Sequence, residues 1–86
     1  MGYAYTVSRD DHLVWCKTRA LAYLGVGDSD VALQFRGAAD PVQAISSFLS
    51  DMGKHPATRD HPVLAGMLLA ARLTPHDLAT FIEGFN

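Results

Sequence analysis

Asp40-Pro41-Val42-Gln43-Ala44-Ile45-Ser46-Ser47-Phe48-Leu49-Ser50-Asp51-Met52-Gly53 is the stretch that decides how this chain folds. Asp40 is a natural N-cap, because its short carboxylate can accept from the free amides of a first helical turn. Pro41 suits the following position, where no amide is needed. Val42, Ile45, Phe48, Leu49 and Met52 then recur at spacings of three and four, which predicts one apolar stripe facing inward. Gln43, Ser46, Ser47, Ser50 and Asp51 fall on the outward side, and Gly53 ends the run.

The same punctuation extends in both directions. Upstream, Ser8-Arg9-Asp10-Asp11 resembles a capping box, and a helix from about Arg9 to Leu24 follows. Leu13, Cys16, Ala20 and Leu24 form its apolar stripe, with Gly25 as the residue that turns the chain away. Trp15 lies off that stripe, near Arg19 and Ala22 on a second face. Gly27-Asp28-Ser29-Asp30 is turn chemistry that can cap a short helix from Asp30 to Arg36, although the alternation in Val31–Phe35 fits a strand equally well. Gly2–Val7 alternates in the same way, so residues 1–8 read as an extended arm or a short strand.

Downstream, Lys54–Arg59 reads as a loop stiffened by Pro56. A helix over Asp60–Leu73, capped by Asp60 or Thr58, is apolar around most of its circumference and is predicted to be surrounded by the others. Thr74-Pro75-His76-Asp77 caps a last helix whose apolar face is Leu78, Phe81, Ile82 and Phe85. The expected architecture is therefore a single mainly α domain over residues 1–86. It is a small bundle of four to five short helices around one central apolar helix, with a short N-terminal strand or arm.

Composition narrows the function. With 86 residues, 49% of them apolar, the chain supports one hydrophobic core and is not a disordered segment. Seven Lys and Arg against nine acids give a net charge of -2, and the cations are dispersed; no basic stripe of the kind that binds phosphate backbones stands out. The basic residues are read as solvated. The single cysteine forms no internal disulfide and suits a reducing cytoplasm. The longest apolar run, Val63–Ala71, is far short of the roughly 20 residues that span a bilayer, and the N-terminus lacks a secretory leader pattern.

Several side chains have the right chemistry for a site without the right spacing. His12 and Cys16, four apart on one helix, pair as metal ligands only if His55 and His61 join them, and no zinc signature results. As a nucleophile, Cys16 would need a lowered pKa, whereas a mid-helix apolar position raises it. Asp28, Asp30 and Asp40 sit at caps and turns and lack the calcium-loop pattern. The last two helices resemble a helix-turn-helix, yet the second offers His76, Asp77 and Glu83 and no cation to meet DNA. No metal or cofactor is expected. The one local concentration of cationic and titratable groups is Lys54, His55, Arg59 and His61, which forms the candidate interaction surface.

Three strings, Asp11-His12-Leu13-Val14-Trp15-Cys16-Lys17, Ser50-Asp51-Met52-Gly53-Lys54-His55-Pro56 and Phe81-Ile82-Glu83-Gly84-Phe85-Asn86, resemble a family of small uncharacterised proteins of bacteriophages and prophages. That resemblance implies a phage context and brings no activity with it. The functional expectation is a non-enzymatic, phage-encoded interaction module in the host cytoplasm, binding a host or phage protein and able to self-associate. The alternative is a small metal-dependent or nucleotide-acting enzyme using His12, His55, His61 and Asp60. A third reading is a DNA-binding regulator acting through the C-terminal helix pair.

Overall fold

Side-chain caps start every helix that the computed structural model describes, over residues 7–60 and 73–85. Helix α1 (Arg9–Ala22) begins where the Ser8 hydroxyl accepts from the Asp11 amide at 3.1 Å. Helix α2 (Asp30–Phe35) begins at Ser29, whose hydroxyl accepts from Ala32. Helix α3 (Pro41–Met52) begins at Asp40, whose carboxylate accepts from Gln43, and α4 (Pro75–Glu83) at Thr74, which accepts from Asp77. Residues 31–35 are helical, so the cap at Ser29 outweighs the strand-like alternation. No strand occurs among the described residues, and none of their helices is long and apolar enough to cross a membrane. The expected N-terminal arm and the central apolar helix lie outside them, apart from the arm's last residues and the helix's two end residues, Asp60 and Leu73.

Among the described elements α1 is the hub. It touches α2, α3 and α4, most extensively α3. The core joins Leu13, Cys16, Ala20 and Leu24 of the first stripe to Ala44, Ile45, Phe48 and Met52 of the second. Leu78, Ala79, Ile82 and Phe85 close it from the α4 side, with the Phe48 and Phe85 rings edge to face at 5.1 Å. Two expected inward residues face out instead: Val42 is 65% exposed and Phe81 37%. Val42 stands on the first turn of α3, before that helix meets α1's core stripe.

The end of α1 sets the direction of everything that follows. Leu24 bonds back to Leu21, Gly25 to Ala22 and Val26 to Leu21, the last two forming a Schellman-type closure with Gly25 at φ 79°. The Asp40 amide then donates to the Tyr23 carbonyl at 2.8 Å, which seats the start of α3 on the end of α1. A Cβ at Gly25 would lie 2.6 Å from the Arg36 Cα and 2.7 Å from the Phe35 carbonyl, both backbone atoms that cannot step aside. Gly25→Ala is expected to cost about 2 kcal/mol or more, from the left-handed φ and the clash together. Gly37→Ala meets nothing within 4 Å and is expected to be neutral or stabilising by up to about 1 kcal/mol. Urea unfolding of the two variants side by side checks both.

Candidate functional site

The C-terminal end of α3 is buried, and a helix end inside a protein needs partners for its carbonyls. Three come from outside the helix. The His12 Nε2–H of α1 donates to the Asp51 carbonyl at 2.7 Å, and the Lys54 amide donates to the same oxygen at 3.1 Å. The Thr58 hydroxyl, itself fully buried, donates to the Met52 carbonyl at 2.7 Å. Lys54–Asp60 is therefore a series of turns folded back over this end, with a buried interior side.

Asp51 was expected on the solvent side of α3. It lies inside instead, its side chain 2% exposed. The negative charge stands in the last turn, where the helix dipole disfavours it, so the carboxylate needs cations from elsewhere. Arg19 supplies one, with Nε donating to Oδ2 at 2.7 Å, and Lys54 supplies the other, with Nζ donating to Oδ1 at 3.2 Å. The Ser47 hydroxyl adds a long contact at 3.4 Å. Both cations stay about half exposed, so the pair joins a buried anion to a solvated rim. Arg19, expected to be merely solvated, is thus a tertiary contact.

Trp15 lies against both cations. The Arg19 guanidinium carbon is 4.8 Å from the ring centroid and the Lys54 ammonium nitrogen 5.3 Å, both within cation–π range. The His12 ring packs against two neighbouring rings, 5.6 Å from Trp15 and 5.1 Å from His55. Arg19, Lys54 and Trp15 together make a partly exposed surface whose geometry Asp51 fixes from below.

The four residues expected to form the interaction surface separate. Lys54 belongs to this cluster. Arg59 is exposed and pairs loosely with Asp60 at 3.9 Å. His55 turns inward and is buried: its Nε2–H donates to the Val7 carbonyl at 2.8 Å while Nδ1 accepts the Ala57 amide at 3.0 Å. Those partners occupy both ring nitrogens and leave the ring unavailable to a binding partner. His61 lies outside the described residues. Asp51, Trp15 and Arg19 were missed as site residues; the available signal was an acid in a helix's last turn three residues before a lysine.

Cys16 lies fully buried beneath the same cluster. Burial pushes its thiol up to about 12, and the nearby Asp51 carboxylate adds to the rise. A protonated thiol is neither a nucleophile nor a metal ligand. Among the described residues no three His, Cys, Asp or Glu side chains gather as a metal site.

The three strings 11–17, 50–56 and 81–86 meet in space. His12, Trp15 and Cys16 come from the first, Asp51, Lys54 and His55 from the second. Lys17 reaches the third by donating to the Glu83 carbonyl at 2.9 Å. No family model, curated protein or solved structure matches the chain.

Removing Asp51 leaves two cations that water can solvate, whereas removing both cations leaves a buried carboxylate with little support. Asp51→Asn is therefore expected to cost about 1 kcal/mol and the Arg19→Met/Lys54→Met pair about 3 kcal/mol or more, an order that urea unfolding tests. The Cys16 thiol is expected to resist a water-soluble disulfide reagent until the chain unfolds. Its raised folded pKa also fixes a sign: from about pH 9 upward the unfolded thiol ionises while the folded one keeps its proton. Stability should thus fall as pH climbs from 9.0 toward about 12. Unfolding midpoints at about pH 8 and pH 10.5 read the slope, which Cys16→Ala should flatten.

Proposed function

We propose that this chain is a non-enzymatic, phage-encoded interaction module that binds an acidic surface of a host or phage protein in the host cytoplasm. The observation that carries this reading is the Trp15–Arg19–Lys54 surface, held in register by the buried Asp51 carboxylate. Trp and Arg are the side chains that most often dominate protein interfaces, and a rim already held in place loses less rotamer freedom on binding. Two cations over one carboxylate leave the rim net positive, which favours an acidic partner. The phage context rests on the resemblance of the three strings, and the cytoplasmic setting on a free, protonated cysteine.

An enzyme built on His12, His55 and His61 has less support. His12 Nε2 and both nitrogens of His55 are engaged with backbone groups, so His55 has no free lone pair for a metal or a substrate proton. A DNA-binding role for the C-terminal helices is opposed by Asp77 and Glu83 on α4 and by the absence of any Lys or Arg from that helix.

The test is affinity capture from host lysate, with and without infection. The probes are the wild type, an Arg19→Gln/Asp51→Asn/Lys54→Gln triple variant, and Arg59→Gln as a cation control. The triple variant removes the charges together, so none is left buried and unpaired. A specific partner retained by Arg59→Gln and weakened at least about tenfold in the triple variant is the expected result. Equal capture by the triple variant would move the contact surface elsewhere on the chain. No partner, together with concentration-dependent dimerisation in light scattering, would make the chain a self-associating protein and overturn the reading of it as a module for another protein.

A further inference from the structure

Arg19 borders a second feature. Two rows of α1, Thr18–Ala22 and Arg19–Tyr23, form the floor of a pocket of about 210 Å³ whose wall is Ser29 and Val31 at the start of α2. The wall is rigidly placed. The Arg36 Nη2 donates to the Gly27 carbonyl at 2.7 Å, Ser29 is occupied as the α2 cap, and Tyr23 packs edge to face on Phe35 at 5.4 Å. The lining is almost wholly apolar, with Val31 38% exposed at the mouth. Sites for whole small molecules usually enclose about 300–1,000 Å³, so this one is sized for a single side chain.

The rim supplies a charge. Arg19 uses Nε on Asp51, while its two terminal nitrogens make no hydrogen bond among the described residues. A planar guanidinium is matched to a carboxylate, and Arg19 is one of the residues that line this pocket. We infer that the pocket receives one aliphatic side chain of a protein partner, leucine-sized, with a carboxylate on the same or the adjacent residue held by the Arg19 terminal nitrogens. This rests on the reading of the chain as an interaction module and specifies its partner: an acidic segment presenting one apolar anchor.

Three defined probes test the chemistry on the isotope-labelled full chain by NMR: N-acetyl-leucine, N-acetyl-leucinamide and N-acetylglycine. The first carries both the side chain and the carboxylate, and the others lack one each. N-acetyl-leucine is expected to bind with millimolar affinity and to shift the Thr18, Ala22 and Val31 amides and the Arg19 Nε–H. The amide and the glycine analogue should bind about tenfold more weakly. Arg19→Lys keeps a cation on Asp51 without the planar fork, and should reduce the acid to the level of the amide. Val31→Glu puts a like charge at the mouth and is compatible with the first turn of α2, so it should abolish binding without unfolding the chain. Equal affinity for all three probes, shifts confined to other residues, no shifts at all, or binding unchanged by Val31→Glu would each overturn the inference. Lysate capture separates the two readings: a partner lost by the triple charge variant but kept by Val31→Glu overturns the pocket and leaves the interaction module standing.

Discussion

The end of α3 is the constraint on which the rest of this structure depends. A helix that finishes inside a protein exposes carbonyls with no partners of their own, and this one also carries a carboxylate where its dipole is negative. Left alone, either feature would oppose folding by several kcal/mol. His12, Arg19, Lys54 and Thr58 resolve both at once: two fill the carbonyls from α1 and the following turns, and two neutralise Asp51. The docking of α1 on α3 is thereby fixed along its axis as well as face to face, which apolar packing alone specifies poorly.

The proposed function and the stability share these side chains. Arg19 and Lys54 both neutralise the carboxylate and lie over Trp15, so the surface we propose as the contact face is set by a buried charge. His55, by contrast, is spent on backbone partners on both sides of its ring, which explains why a histidine beside a lysine in sequence is no part of the exposed patch. Cys16 is similar: burial, reinforced by the nearby Asp51 carboxylate, keeps the proton on sulfur and makes the residue a packing element.

The helix starts were legible because capping is local. Ser8, Ser29, Asp40 and Thr74 each satisfy an amide three residues on, a relation contained within four consecutive positions. The apolar stripes of α1 and α3 were equally readable, since helical period alone brings Leu13, Cys16 and Ala20 onto one side. The site was only half legible. Lys54 was marked by its local charge, but Asp51 was assigned to solvent by the periodicity that correctly placed Phe48 and Met52. A stripe analysis places a residue on a face and is blind to whether a cation from another helix waits there.

Sequence by itself determined where the described helices begin, where the chain turns at Gly25, and most of the residues that fill the core, because those follow from hydrogen bonds and periodicity within a few residues. Tertiary structure alone decided that Asp51 is buried, that Arg19 reaches it across 32 positions of sequence to join the neighbouring Lys54, and that both cations lie over the Trp15 ring. The physical reason is that a charge leaves water only where opposite charges are already assembled. That assembly exists only once α1 has docked on α3.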